Sequence, residues 1–300
     1  DGGEGDQGPL GNGTRTPDWS GEKEGKDDGP SLLALKLGLR MIGRESARCP
    51  PSAGIAAMSL YIPRGYINLE EMETYDQVSK GKYTVGLGQR RMAVAGAAED
   101  IVAMSITAVR QLLETCNIVP QDVGRLDIGT ESATDHAKPV KCAVQHYAGL
   151  GENISGSDVM AACYAGTQAV LNALAWVDSA EWDGRYAIVV CADILEYEVQ
   201  NARPTGGAGA VAILIGRRSN LTMESDTKVH CSRNTYDFYR PSGSRFPIVN
   251  GAESMKVYMG CLDSCFRQFC TRFREVHHQP FSLEDSVDYV VFHSPFTKMT

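Results

Sequence analysis

Residues 124–131 read GRLDIGTE, residues 163–180 read CYAGTQAVLNALAWVDSA and residues 185–193 read RYAIVVCAD. The outer two are short, aliphatic and end on polar residues, as strands buried on both faces do, while the middle one repeats its apolar side chains at helical spacing. Strand, long helix and strand in that order make a β-α-β unit, whose two strands run parallel. The same alternation continues on both sides. Residues 54–63 (GIAAMSLYIP) read as a strand. Residues 98–117 read as a helix with Ile101, Met104, Ala108, Val109 and Leu112 on one face behind the acids Glu99 and Asp100. A helix is expected over 138–150, a short strand over 157–160, a strand over 207–216, a helix over 250–275 and a last strand over 287–293. The class is therefore α/β, with parallel β-α-β units in a sheet covered on both faces.

The 300 residues suggest about two domains at roughly 150 residues each, and 43% apolar with 22% charged side chains fits a globular core. The formal charge of -8, with Lys and Arg scattered, offers no basic footprint for a phosphate backbone, so nucleic acid is not expected as a partner. Residues 1–30 hold nine Gly, three Pro, eight acids and three bases and carry -5 of that charge. Such a stretch buries too little apolar surface to offset its ordering entropy and is expected to be disordered. Residues 31–51 turn Leu-rich and basic, with Lys36, Arg40, Arg44 and Arg48, and resemble part of a mitochondrial presequence. The acids in front of them argue against a working one, which favours the cytoplasm with mitochondria as the alternative. Residues 1–50 are thus read as a disordered or targeting-like tail. The longest uncharged run, residues 159–177, could reach across a membrane, but Thr167, Gln168 and Asn172 make it a strand passing into a helix; no membrane is expected.

The nine cysteines are odd in number, form no CxxC pair and follow no secretory signal, so reduced thiols are expected. Cys261, Cys265 and Cys270 sit at roughly helical spacing among aromatics, a core face rather than a zinc cage, and no metal is expected. The string Gly207-x-Gly209-x-x-Ala212 matches a dinucleotide fingerprint but runs into a strand instead of opening a helix, which removes its mechanism. His277 and His278 precede Gln279 and Pro280 in a polar stretch that reads as a solvated loop.

Three residues share a more informative position. Glu131 follows the strand ending in GT, Cys163 follows the short strand 157–160 and opens a helix, and His293 ends the strand 287–293. Carboxyl ends of parallel strands gather at one sheet edge, where ligands bind in open α/β folds. A helix N-terminus beside Cys163 would favour thiolate. Its small neighbours Ala161, Ala162, Ala165 and Gly166 admit close approach. Each residue also has a structural reading: a buried small hydrophobe for Cys163, a surface turn for Glu131, a satisfied core histidine for His293.

Around these residues, over about 54–298, the chain resembles the eukaryotic 3-hydroxy-3-methylglutaryl-CoA (HMG-CoA) synthase family of the thiolase superfamily. The likeness is carried by KYTVGLGQ at 82–89, GRLDIGTES at 124–132, ACYAGTQAV at 162–170, WDGRYAIVV at 182–190, NARPTGGAGAVAILIG at 201–216, YDFYRP at 236–241 and FHSPF at 292–296. It implies a thiolase-like fold layered α-β-α-β-α. Residues 54–216 would form one complete half bearing the nucleophile, and 217–300 the incomplete start of the second.

The resemblance further implies that Cys163 is acetylated by acetyl-CoA, that Glu131 is the general acid/base and that His293 holds the acetoacetyl-CoA carbonyl. Asp135, Asp193 and Asp237 fall on supporting aspartates, Asn201, Thr205, Ser254 and Lys298 on substrate contacts, and Ser79, Lys80, Gly81 and Lys82 on a CoA-contacting stretch. It implies an acyltransferase of isoprenoid and sterol biosynthesis that works as a homodimer and uses CoA thioesters as substrates, with no cofactor. Ser79, Lys80, Ala161 and Ala165 depart from the family's pattern. The family continues past residue 300, so activity is expected of the parent protein and not of this length alone. A ketoacyl-ACP synthase III type enzyme shares fold and cysteine but lacks the glutamate, and a noncatalytic truncated homologue is the other alternative.

Overall fold

The computed structural model describes residues 52–299. The expectations for residues 1–50 therefore lie outside the described residues. In chain order the elements are β1 (Gly54–Tyr61), β2 (Tyr66–Asn68), α1 (Leu69–Tyr75), β3 (Arg91–Ala93), α2 (Ile101–Cys116), β4 (Val123–Gly129), α3 (Val140–Tyr147), β5 (Asp158–Val159), α4 (Ala165–Asp178), β6 (Tyr186–Leu195), β7 (Gly207–Gly216), β8 (Leu221–Thr222), β9 (Phe238–Tyr239), β10 (Ile248–Val249) and α5 (Gly251–His277).

The central sheet has the order β5-β4-β6-β7-β1-β8. Its strands alternate inward residues with a period of two, and both faces are covered. On β6, Ile188, Val190 and Ala192 join the cluster under α2 and α3, while Ala187 and Val189 join the cluster under α4. Helix α2 lays Ile101, Met104, Ala108, Val109 and Leu112 on the sheet. It is started by Asp100, which accepts the Ala103 N–H at 2.7 Å, and stopped by Asn117 in the left-handed region.

Four expectations need correction. The sheet is mixed: β4 pairs parallel with β5 and β6, but β6 pairs antiparallel with β7, and β7 antiparallel with β1. Parallel strands need a long crossover, usually a helix, and the only regular structure between β6 and β7 is a 3-10 turn at Arg203–Thr205. The strand expected over 287–293 does not form. A strand is held by a neighbour's hydrogen bonds, and no described strand lies beside this segment, whose Tyr289 and Val291 are 87% and 92% exposed. Helix α5 also differs from the core face read from its cysteines. It buries none of its residues, and Phe269 and Phe273 instead stack edge-on against Phe281 beyond the helix end. His277 closes this helix, with Nε2 2.8 Å from Glu224, rather than lying in a loop.

Helix α4 sits unusually close to the sheet. Its inner residues Ala165, Ala169 and Ala173 are 1% exposed or less, and Gly166 meets the last residue of β4, Gly129. A Cβ on Gly129 would stand 2.5 Å from the Gly166 nitrogen and 2.6 Å from its Cα, and a Cβ on Gly166 would stand 2.5 Å from Cys191 Sγ. Backbone cannot yield as a flexible side chain can. Gly129→Ala in the complete protein should therefore lower the urea midpoint, by about 1–3 kcal/mol of stability, the range for overpacking a filled core. An unchanged midpoint would show that α4 shifts freely.

Candidate active site

The contact between Gly129 and Gly166 brings two chain turns together. Beyond β4 the chain continues as Thr130 and Glu131. Ahead of α4 it runs through a 3-10 turn at Ala162–Tyr164 that carries Cys163. Ala162 holds φ +46, a left-handed conformation unusual for a residue with a Cβ, and so turns the chain sharply just before the cysteine. As a result Cys163 Sγ lies 3.9 Å from Glu131 Oε1.

Asp193, near the end of β6, fixes the Glu131 side of this pair. Its Oδ1 accepts the Thr130 hydroxyl at 2.9 Å, the Glu131 N–H at 2.8 Å and the Ser132 hydroxyl at 2.9 Å. The Ile194 N–H donates to the Ser132 oxygen at 3.1 Å, tying loop to strand. From the other side the Arg240 guanidinium donates to the Glu131 carbonyl.

This packing determines the electrostatics. Burial raises the Glu131 carboxyl pKa, Asp193 adds to the rise, and Arg240 opposes it. Asp193 is itself raised by burial. The Cys163 thiol is pushed up to about 11, first by burial and then by the charges of Glu131 and Asp193. The thiolate-favouring effect expected from the helix N-terminus is thus outweighed by desolvation and two nearby carboxylates. Cys163 rests as a thiol, although its surface is open to solvent.

His293 makes no described contact with Cys163 or Glu131. Its strand is absent, and its ring stacks at 6.3 Å on Tyr258, whose hydroxyl donates to the His293 carbonyl at 2.7 Å. Burial lowers its pKa, so the imidazole is neutral at physiological pH. Of the three aspartates, only Asp193 reaches the pair. Asp135 is exposed and accepts the Ala137 and Lys138 N–H groups, which hold its carboxyl low as it shapes the turn before α3. Asp237 accepts from Thr235 at 2.6 Å.

The other candidate residues fall into two groups. Lys82 Nζ donates to Asn201 Oδ1 at 2.9 Å, and Lys298 N–H donates to the Leu87 carbonyl at 3.2 Å, so Lys82, Asn201 and Lys298 meet around the loop 79–89. In that loop Gly81 N–H donates to Glu73 at 2.7 Å, while Ser79 contributes a carbonyl to Lys82 and Lys80 reaches only the exposed Glu70, at 3.8 Å. The Thr205 hydroxyl donates to the Ala202 carbonyl at 2.7 Å, near Tyr197. Ser254 is taken up in starting α5, its N–H donating to Asn250.

Tyr197 was not among the sequence candidates. Its phenol is pushed to about 12 by burial and by the proximity of Cys163 and Glu131, so it stays a donor beside them. Glu73 and Asp76 were missed as well, although they share the face of Leu69 and Met72 at helical spacing, which was the available signal. Glu73 accepts from Gly81, Tyr83 and Thr84, and Asp76 accepts the Tyr83 hydroxyl at 2.8 Å and Arg203 at 2.6 Å. Arg240 gave no advance signal, since its reach to Glu131 depends on long-range folding. An apolar cavity of about 210 Å³ borders Tyr197 and is lined by Met72, Met92, Val94 and Phe246; neither Cys163 nor Glu131 lines it.

Comparison with known proteins gives one answer. Residues 49–220 match the family model described as hydroxymethylglutaryl-coenzyme A synthase N terminal, and residues 221–300 match the C-terminal model of the same family. The chain is 44% identical over 253 residues to hydroxymethylglutaryl-CoA synthase A of Dictyostelium discoideum, covering 83% of this chain and 52% of that protein. It is 42% identical over 258 residues to the mitochondrial hydroxymethylglutaryl-CoA synthase of Homo sapiens, covering 83% and 51%, and other relatives are named as cytoplasmic. A solved structure of MvaS in complex with 3-hydroxy-3-methylglutaryl coenzyme A superposes with a TM-score of 0.79 at 34% identity, over 83% of this chain and 60% of that one. The chain thus spans about half the length of the curated relatives it matches.

Because the Glu131 charge and its hydrogen bond both hold the thiol up, Glu131→Gln should lower the Cys163 pKa and speed its alkylation at mildly alkaline pH. The pH profile of iodoacetamide capture, read by mass spectrometry at Cys163, should move to lower pH; an unmoved profile would separate the two side chains electrostatically.

Proposed function

The chain belongs to the hydroxymethylglutaryl-CoA synthase family, and we propose that the protein of which it forms part condenses acetyl-CoA with acetoacetyl-CoA and water to give HMG-CoA and CoA. The observation that carries this reading is the Cys163–Glu131 pair, a thiol nucleophile 3.9 Å from a carboxyl group raised by burial. A ketoacyl synthase would not need that carboxyl.

Cys163 attacks the acetyl-CoA thioester and becomes acetylated, and the departing CoA thiolate takes up the proton that the Cys163 thiol gave up. One thioester replaces another, so the step is nearly balanced in energy. Glu131 then removes a proton from the acetyl methyl group, for which a raised carboxyl pKa suits it as a general base. The resulting carbon nucleophile adds to the C3 carbonyl of acetoacetyl-CoA. A neutral His293 is the donor assigned to that carbonyl, and Tyr197 is a further donor beside the acetylated sulfur. Water finally hydrolyses the enzyme thioester.

Lys82, Asn201 and Lys298, with Gly81 and the exposed Ser79 and Lys80, supply the contact region for CoA. Thr205 acts beside Tyr197, and Ser254 is assigned to substrate on family position alone. Asp193 positions Glu131, while Asp135 and Asp237 shape the turns around it. CoA thioesters are substrates in this reading, and no metal or redox cofactor enters. The protein would act as a homodimer in the cytoplasm; relatives divide between cytoplasmic and mitochondrial forms.

In the complete protein, Glu131→Ala should still form the acetyl-enzyme, because loss of its charge makes the Cys163 thiolate easier to reach. Condensation should fall at least about a hundredfold, the lower range for losing a positioned general base. Cys163→Ser should abolish covalent labelling. Rapid quench with labelled acetyl-CoA and product analysis after adding acetoacetyl-CoA read the two steps. Equal loss of both steps in Glu131→Ala would make Glu131 structural, and normal condensation would overturn the mechanism.

A further inference from the structure

Helix α1 and the loop 79–89 that follows it are built as one body. The Glu73 carboxylate accepts the Gly81, Tyr83 and Thr84 N–H groups at 2.7, 2.8 and 2.8 Å, and Asp76 Oδ2 accepts the Tyr83 hydroxyl at 2.8 Å. Side chains then join this body to residues 200–204, between β6 and β7. Arg203 Nη1 donates to Asp76 Oδ1 at 2.6 Å, and the Gln200 amide donates to the Asp76 carbonyl. Lys82 Nζ donates to Asn201 Oδ1 at 2.9 Å, and the Gln89 amide donates to the Pro204 carbonyl at 2.9 Å.

These links are unequal. The Asp76 side chain is 2% exposed and that of Arg203 33%, so water screens their charges little. The Lys82–Asn201 bond is exposed, and the two glutamine bonds join neutral groups. The Asp76–Arg203 ion pair is therefore the link whose loss is felt most, because either partner alone leaves the other uncompensated. Its place in the chain matters equally. Arg203 opens the 3-10 turn Arg203–Thr205, in which the Thr205 hydroxyl donates to the Ala202 carbonyl, and its Nη2 braces the turn on the Glu198 carbonyl at 3.3 Å. Asn201 and Thr205 lie two residues to either side of it.

The region assigned to CoA is divided between these two parts. Gly81, Lys82 and, through the Leu87 carbonyl, Lys298 belong to the loop, whereas Asn201 and Thr205 belong to the turn. We propose that Asp76 and Arg203 are positioning residues for the CoA moiety, their ion pair fixing the spacing between loop and turn so that one CoA thioester meets both. This role rests on the CoA thioester reading given above. The bonds described for the pair run to Tyr83, Gln200 and Glu198 and not to Cys163 or Glu131. Its loss should therefore weaken the hold on CoA and leave the reactivity of the thiol unchanged.

The test compares the complete protein with its Asp76→Asn variant, which keeps the size of the side chain and a hydrogen bond to Tyr83 but removes the charge. Without ligand, amide hydrogen exchange should quicken about tenfold over 79–89 and stay unchanged in β4 and β6. Titration with CoA should show binding weakened about tenfold. Rapid quench with labelled acetyl-CoA should show half-saturation raised about tenfold, with the maximal acetylation rate within about twofold. Arg203→Lys, which retains the charge, should keep more of the affinity than Arg203→Gln. Unchanged CoA binding, no CoA binding by the unaltered protein, or a fall in maximal rate at unchanged half-saturation overturns the proposal even where exchange quickens, since the pair would then be structural alone. If the unaltered protein bound CoA but took no label, the synthase reading would fail and the CoA titration would still decide the pair. Asp76→Asn decides it even where Arg203→Gln fails to fold.

Discussion

The candidate site depends on one close approach, the backbone of Gly166 lying against Gly129. Helices normally stand off a sheet by the thickness of their side chains, so reactive groups at a strand end and at the next helix start are held apart. Here the spacing is set by two residues without side chains and by the alanine row of α4. The same contact explains why Cys191 must be small and why Cys163, three residues ahead of Gly166, arrives beside Glu131 instead of above it. The geometry of the candidate site is thus a consequence of core packing, and a methyl group in the core would be felt at the sulfur.

Asp193 then converts proximity into geometry. A single oxygen collects the donors of Thr130, Glu131 and Ser132, so the loop beyond β4 has little freedom left. The cost is electrostatic. Asp193 and Glu131 place two carboxyls near one thiol in a partly dry setting, and all three groups shift toward their neutral forms. A site that only needed a ready thiolate would not be built this way. The proposed removal of a carbon-bound proton would gain from a carboxyl held above its ordinary range, at the cost of a slower sulfur.

Much of this was legible in the sequence. Strand, helix and strand around 124–193 could be read from periodicity, and the position of Cys163 and Glu131 at element ends followed from that reading alone. Side chains that meet through long-range contacts could not be read, which is why Tyr197 and Arg240 were missed. The pairing direction of β7 was misjudged because apolar runs look alike in parallel and antiparallel sheets; the missing helix between β6 and β7 was the overlooked clue. His293 was placed by a strand whose apolar run, Tyr289 to Phe292, forms no pairing in the described residues. An apolar run is a demand for partners, and the sequence cannot say whether they are present.

The carboxylates show why residue type alone was insufficient. Glu73 is 3% exposed, yet hydrogen bonds from Thr84, Gly81 and Tyr83 outweigh that burial and hold its pKa at about 2. It therefore stabilises the loop 79–89 at every pH above the ordinary carboxyl range, and that contribution fades only as the pH falls toward 2. Asp193 also accepts several hydrogen bonds, but its desolvation outweighs them and its pKa rises, so its ionised form opposes folding where Glu73 supports it. Both acids organise loops. What separates them is whether donors or dry surroundings dominate, and in this fold the well-satisfied acid supports the loop 79–89 while the acids with raised pKa gather at the sulfur.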